Sequence, residues 1–172
     1  LLTLGAACSG TDDGAGSTNT DPDASDSTSA ADSGFGWCDE VTIEEFQQIF
    51  GDRFTAVKTG GIAADCTIVA RDTYIGESLT IRDTNRAGYG EDFDTARDAA
   101  ESDPICPGSA HDVDGIDDRA FYTSTCAKRR PKEALHIEHN GSHLTFSAFF
   151  VPKDRVASTE EALTALARRL IG

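Results

Sequence analysis

A polar stretch of 26 residues near the start of the chain limits the folded part to the residues after it. Residues 9–34 contain no Val, Ile, Leu, Phe, Tyr, Trp, Lys or Arg and consist of Ser, Thr, Asp, Gly and Ala with one Asn and one Pro. Such a segment cannot bury enough apolar surface to offset the entropy lost on ordering it. We therefore predict a solvated tether, with a reach of about 28 Å if it behaves as a flexible coil, and one domain over residues 35–172.

The residues before the tether predict export. Residues 1–7 (LLTLGAA) form an apolar segment that ends in small residues, like the end of a secretory signal peptide, and Cys8 follows directly. A lipoprotein signal peptidase requires a cysteine at this place, so we expect Cys8 to be acylated. Gly5 stands where lipoprotein signals usually have Leu, Val or Ile, and ordinary cleavage near Ala7 with a free Cys8 is the alternative. The segment is shorter than the ~20 apolar residues of a membrane span.

The chain is acidic, with 30 Asp and Glu against 15 Lys and Arg. Six of the acidic residues and none of the basic ones lie in the tether, which leaves the domain with 24 acidic and 15 basic residues, a net charge of −9. Phosphate binding needs a basic surface, so this charge argues against a nucleic-acid partner.

Four cysteines remain for the domain once Cys8 is assigned to lipid. An even number in an exported domain predicts disulfides. Of the three possible connectivities we favour Cys38–Cys66 with Cys106–Cys126, because both pairs are local and leave no crossed loops. Each would contribute about 3–4 kcal/mol in the loop-entropy account. A zinc site is the alternative, but the sequence has no C-x-x-C pair and no suitably spaced histidines.

Capping signals and apolar periodicity predict three helices. Thr42 and Glu45 form a T-x-x-E capping box before the apolar stripe of the first helix. Residues 92–101 predict a short second helix. Ser158 and Glu161 predict a second capping box, at the start of the last helix.

Alternating apolar residues predict strands over residues 54–58, 66–71, 77–83 and 119–126, followed by a hairpin. Asn140-Gly141 lies between EALHIEH and SHLTFSAFF, and a two-residue turn of this kind needs positive φ at both positions. This turn fixes which residues face one another. The core-side pairs are Leu135 with Phe146 and Ile137 with Leu144, and the pairs on the other side are His136 with Thr145 and Glu138 with His143.

The order of these elements, α-β-β-β-α-β-β-β-α with short antiparallel links, predicts an α+β fold. We expect an antiparallel sheet of about six strands with helices packed on one face.

Several segments together resemble a known family: WCDEVTIEEFQQIFG, DCTIVAR, VDGIDDRAFY and the C-terminal EEALTALARRL. Over about residues 35–172 the chain resembles the actinobacterial lipoproteins classed as domain of unknown function 3558. The v-x-G-x-G-D-x-A segment of that family is similar to residues 113–120, with Asp117 at the second glycine and Asp118 at the acidic residue. The resemblance implies a cell-envelope location and a Cys38–Cys66 disulfide. It implies no established activity and no catalytic residues.

An acidic segment raises the question of calcium. Its members are Asp112, Asp114, Asp117 and Asp118. The positions of Gly115 and of the twelfth residue do not fit an EF-hand loop, and a turn leading into a strand accounts for the Asp and Gly residues. We predict no calcium site here.

Three residues on the outward side of the hairpin, His136, Glu138 and His143, could hold a metal ion. Exposed polar residues on a solvated sheet face are the commoner arrangement, so we predict no metal ligands. The basic cluster Lys128–Lys132 could touch anionic lipids or a wall polymer, but a solvated loop between strands explains it equally. No nucleophile with a visible base and no phosphate-binding loop is present in the sequence, so we predict no catalytic and no cofactor-binding residues.

These observations predict an extracytoplasmic lipoprotein that is anchored to the cell membrane through Cys8. We expect its domain to be a monomer without a cofactor, which binds an envelope ligand or protein and is not an enzyme. One alternative is a metal-dependent hydrolase using surface Asp residues with His111, His136 or His143. Another is an accessory subunit of a membrane complex.

Overall fold

The computed structural model of the chain describes residues 36–55, 57–62, 65–71, 76–88, 90–116, 119–126 and 131–172. At positions 38, 58, 61 and 62 within these ranges only the backbone is described. Contacts divide the chain into the units Leu1–Ala31 and Asp32–Gly172, and all described residues belong to the second. The predicted signal segment, Cys8 and the tether lie outside the described residues.

Four helices and seven strands form the described part of the chain. The helices are α1 Trp37–Glu40, α2 Ile43–Phe50, α3 Phe93–Glu101 and α4 Val156–Ile171. The strands are β1 Val57–Ile62, β2 Asp65–Ala70, β3 Ser78–Asp83, β4 Ala110–Asp112, β5 Arg119–Ser124, β6 Lys132–His139 and β7 Ser142–Phe149. Every pair of neighbouring strands is antiparallel, in the order β1-β2-β3-β7-β6-β5-β4. The predicted α+β class with an antiparallel sheet is confirmed.

The first sheet face packs against α2 and α4 and forms the main core. Phe46, Ile49 and Phe50 of α2 are buried together with Leu163 and Leu166 of α4. The sheet contributes buried residues at alternating positions, among them Ile68, Leu79, Ile81, Leu135, Ile137 and Phe146. This alternation gives the sheet one apolar face for the two helices.

The second sheet face carries α3. Phe93 and Ala96 of this helix bury Phe121 of β5, whose sequence neighbours Ala120 and Tyr122 belong to the main core. Successive side chains of a strand point to opposite faces, so α3 lies on the face opposite α2 and α4. The structure differs here from the expected one-face arrangement, because Phe121 and Phe93 give this end of the second face an apolar surface to bury. The sequence did not predict the short elements α1 and β4.

The hairpin and the first capping box are as predicted. Asn140 and Gly141 have φ of 51° and 76°, and all four predicted cross-strand pairs are present. Thr42 and Glu45 cap α2 reciprocally. The second capping box is wrong, because α4 begins at Val156 and the Ser158 hydroxyl donates to the Arg155 carbonyl.

The first strand also begins later than predicted, at Val57. Phe54 precedes it and packs edge-on against Phe46, with ring centroids 5.6 Å apart. Its burial therefore reflects a loop residue that fills the core and not a strand.

A disulfide joins Cys106 and Cys126, with Cα atoms 5.6 Å apart, and links the loop after α3 to the end of β5. Cys66 is also disulfide-bonded. The Cys38 side chain lies outside the described residues, so its pairing with Cys66 stays a prediction. No helix within the described ranges is long and apolar enough to cross a membrane.

Candidate functional site

The second face of the sheet is lined with hydroxyl groups where α3 does not cover it. Directly opposed residues in an antiparallel sheet point to the same side. One row across the sheet places Thr67, Thr80, Ser147 and Ala134 next to one another, and the following row places Asp65, Arg82, Thr145 and His136. A third row contains Ser78, Phe149 and Lys132. We call Thr80, Arg82, Lys132, Thr145 and Ser147 the polar patch.

The hydroxyl groups of the polar patch are largely sheltered but have capacity for further hydrogen bonds. Thr80 and Ser147 are 8% and 7% exposed. The Thr80 hydroxyl pairs with that of Thr67 at 3.2 Å. The hydroxyls of Thr145 and Ser147 form no hydrogen bond with any described residue. Each hydroxyl can donate one hydrogen bond and accept two, so both are available to a ligand.

Lys132 adds a half-buried ammonium group to the same face of the sheet. Its Nζ lies 5.2 Å from the centroid of the Phe149 ring, and no carboxylate of the described residues forms an ion pair with it. Burial lowers the pKa of Lys132, and the nearby Arg82 lowers it further, whereas Glu91 opposes the shift.

An open groove of about 460 Å³ lies beside the polar patch. Arg82 belongs to both, and the groove extends to the start of α3. Its other lining residues are Thr84, Gly90, Glu91 and Thr95. A groove of this volume is in the range of small-molecule sites.

A chain of hydrogen bonds runs beneath this surface through two histidines. His143 Nδ1 lies 3.0 Å from the Glu91 carbonyl oxygen, and His143 Nε2 lies 3.1 Å from His136 Nδ1. A carbonyl only accepts, so in the neutral pair His143 Nδ1 carries a proton and His136 Nδ1 donates to His143 Nε2. His136 Nε2 is then an acceptor for the Thr123 hydroxyl, 3.3 Å away.

His136 is uncharged at physiological pH. Its burial, together with His143 and Lys132, lowers its pKa to about 3. The ring stacks on Phe121, with centroids 4.4 Å apart, which keeps it in place on the sheet. The two histidines therefore form a fixed polar support beside the polar patch and supply it with no N–H group.

The residues proposed for a metal-dependent hydrolase do not converge. His111 Nε2 lies 3.0 Å from Glu160 of α4, on the side of the main core, whereas His136 and His143 lie on the second face. Glu138 pairs with Arg119 at 2.8 Å and not with the histidines. Within the described part of the chain, no group of three His, Cys, Asp or Glu side chains is placed to hold a metal ion.

The described part of the acidic segment forms an ion pair, a backbone hydrogen bond and a turn. Asp112 pairs with Arg97 of α3 at 2.5 Å, and the Asp114 carbonyl accepts from Arg168 at 3.0 Å. Gly115 adopts φ of 81°, as expected of a turn before a strand. Asp117 and Asp118 lie outside the described residues.

The basic cluster 128–132 is described only at its end. Residues 128–130 lie outside the described ranges, and Lys132 belongs to β6 and not to a loop. The side chain of Lys132 consequently joins the second face of the sheet, where the hairpin register places it opposite Phe149.

Sequence reasoning missed the polar patch, although a signal for it was present. The non-core positions of β3 and β7 carry Ser, Thr and Arg together with His143 and Phe149, in SLTIRD and SHLTFSAF, where a fully solvated face more often has Lys, Glu and Asp. Comparison of the chain with protein-family models, curated proteins and solved structures found no match.

Proposed function

We propose that this chain is an extracytoplasmic lipoprotein, anchored to the cell membrane through an acylated Cys8, whose domain binds a small polar ligand at the polar patch. In this proposal the domain is not an enzyme and works as a tethered binding module. In the same proposal, residues 9–34 serve as the tether that their composition predicts.

The cysteines support an extracytoplasmic location. Cys106 is paired with Cys126, and Cys66 is also disulfide-bonded. Structural disulfides persist in oxidising compartments and are rare in the bacterial cytosol. The small residues before Cys8 and the polar tether after it are the sequence features that support acylation.

The polar patch carries the binding part of the proposal. It combines free hydroxyl groups on a rigid sheet with a half-buried ammonium group and an adjoining groove of about 460 Å³. Small-molecule sites are concave surfaces with a few polar groups that orient the ligand. A position at the centre of the sheet fixes these groups better than a loop would.

Exposed apolar surface gives less support to a protein partner. Ile105 is 83% exposed and is the large hydrophobic side chain that the described residues leave in solvent. It lies beside the disulfide-bonded Cys106. Single exposed apolar residues are common on monomeric proteins, whereas interaction sites present contiguous patches.

The anchor is tested by expressing the gene in a bacterium that is fed a fatty-acid probe. The wild-type protein should take up the probe and fractionate with the membrane, whereas Cys8→Ser should lose both properties. Persistent labelling of Cys8→Ser, or an unlabelled wild-type protein, would contradict the proposal.

The binding site is tested by titrating the full chain carrying Cys8→Ser with glucose, sodium acetate and sodium phosphate while amide NMR shifts are recorded. At least one compound should shift the amides of the polar patch in a saturable way. Ser147→Leu fills the patch and should abolish these shifts, while Ser158→Leu, exposed on α4, should preserve them. Shifts confined to other surfaces would contradict the assignment.

A further inference from the structure

Lys132 is unusual among the cations of this acidic domain because its charge is half-buried without a carboxylate partner among the described residues. Several arginines elsewhere in the described part pair with acidic side chains, as Arg97 does with Asp112, Arg119 with Glu138 and Arg169 with Glu45. An ammonium group taken partly out of water loses hydration energy that an opposite charge would restore. The domain has 24 acidic residues, yet none of the described ones forms an ion pair with Lys132. An anion from outside the chain can therefore take that place.

Hydrogen-bond donors surround the position that such a partner would take. Ser147 lies one row from Lys132 across the hairpin, and Thr145 lies one row further on the same strand. Neighbouring strands are about 4.8 Å apart and alternate residues of a strand about 7 Å apart, so a lysine side chain can reach the row of Ser147. Thr145 lies one further row, about 7 Å, beyond Ser147. The free hydroxyls of both residues therefore lie on the same sheet face as the Lys132 side chain.

The other charged groups around Lys132 are of both signs and largely compensate one another. Arg82 lies on the same face of β3 and is held by Asp65, with its Nε 2.8 Å from that carboxylate. Glu91, before α3, is the acidic group that acts on Lys132. His136, on the same strand, is neutral. The Arg82 charge is already compensated by Asp65, so Lys132 is the cation of the polar patch that lacks an anionic partner among the described residues.

We propose that the polar patch binds an oxyanion of its ligand, a carboxylate or a phosphate, with Lys132 as the charged donor and Thr145 and Ser147 as hydroxyl donors. The inference deepens the proposed function and rests on it. The ammonium group supplies the charge, and the hydroxyls supply direction, because a serine or threonine hydroxyl can turn its hydrogen toward an anion oxygen.

The test compares acetate and phosphate with glucose, at constant ionic strength, on the full chain carrying Cys8→Ser. Acetate or phosphate should give saturable amide shifts at Lys132, Thr145 and Ser147, and glucose should give none. Whichever of acetate and phosphate binds more tightly shows whether the patch prefers a planar carboxylate or a tetrahedral phosphate.

Variants separate Lys132 from general charge effects. Lys132→Gln should weaken the affinity for the bound anion at least about tenfold, as loss of a charged hydrogen bond does. Lys153→Gln makes the same change in charge at an exposed lysine and should leave the affinity unchanged. Ser147→Ala, which removes only a hydroxyl, should weaken it about two- to tenfold and serves if Lys132→Gln does not fold.

The pH dependence provides a further check on the wild-type chain. An ordinary lysine has a pKa of about 10.4. Because the pKa of Lys132 is lowered, Lys132 loses its charge at a lower pH than an ordinary lysine does. Acetate affinity should therefore fall as the pH rises through this lowered pKa. Across that range His136 stays neutral, because its pKa is about 3.

The outcomes decide the inference separately from the proposed function. Saturable shifts with glucose but with neither anion would overturn the oxyanion inference and leave the binding site standing. Shifts with none of the three would overturn both. Anion binding that Lys132→Gln leaves unchanged would also overturn the inference.

Discussion

At the scale of single residues, the core contains an acidic group that its neighbours fully satisfy. Glu133 of β6 is 1% exposed and lies on the face that packs against α2 and α4. It accepts hydrogen bonds from the Tyr122 hydroxyl at 2.8 Å and the Ser124 hydroxyl at 3.0 Å. Burial raises the pKa of Glu133, and burial together with this carboxylate raises the pKa of Tyr122. Two donated hydrogen bonds let the core hold the group at all.

Glu133 makes the stability of the domain depend on pH. The folded-state pKa of Glu133 is raised above the usual value of about 4.5. The stability that the protonated group provides is therefore fully present below that value and is lost as the pH rises through the folded-state pKa. Glu133→Gln keeps the shape and cannot ionise. Urea unfolding at a series of pH values should show the variant gaining stability over the wild type as the pH rises above about 4.5.

Glu161→Gln, at an exposed position of α4, is the control for exchanging a carboxylate for an amide. A stability difference between Glu133→Gln and the wild type that stays constant with pH would show that the buried carboxylate does not titrate in this way.

Gly115 is a position where an added side chain would displace a hydrogen-bonded arginine. Its φ of 81° favours glycine, and an added Cβ would collide with the Arg168 guanidinium that donates to the Asp114 carbonyl. Gly115→Ala should lower the free energy of unfolding by at least about 1 kcal/mol. Gly88→Ala has a similar φ of 74° with open space around it and is the matched control. Equal losses for the two variants would mean that the contact with Arg168 contributes nothing.

At the scale of elements, short sequence motifs predicted the turn and the cap that interactions between neighbouring residues determine. The Asn140-Gly141 turn fixed the register of β6 and β7, since positive φ at both positions is a property of these two residues. The cap at Thr42 likewise depends on residues three positions apart. The start of α4 could not be found in this way, because the turn after Pro152 begins the helix before Ser158.

The cap of α2 is also connected to the last helix. The Glu45 carboxylate accepts from the backbone of Thr42 at 2.9 Å and from Arg169 at 2.6 Å. Thr42→Ala removes the reciprocal bond to the Glu45 backbone and should cost about 1 kcal/mol in thermal or urea unfolding. Thr55→Ala, at an exposed position outside any helix, should cost much less. A negligible loss for Thr42→Ala would show that the hydroxyl cap contributes nothing to the stability of α2.

At the scale of the whole molecule, the sequence indicates which residues share a sheet face but not what covers that face. The alternation predicted that His136 and Thr145 lie opposite the main core, and the structure confirms it. It did not predict that α3 would cover this side around Phe121, or that Lys132 and Ser147 would lie sheltered in a shared surface. Glu133 shares the parity of Leu135, yet its burial depends on Tyr122 and Ser124, which come from another strand.

One measurement tests both the acylation of Cys8 and the disulfides of the domain. This is the non-reduced intact mass of the protein extracted from the membrane of the bacterium that expresses its gene. We predict a chain that begins at Cys8, carries the added mass of a diacylglyceryl group with or without a further acyl chain, and lacks two hydrogens for each of two disulfides. A chain with an unmodified Cys8, or with the full mass of four free thiols in the domain, would contradict the account.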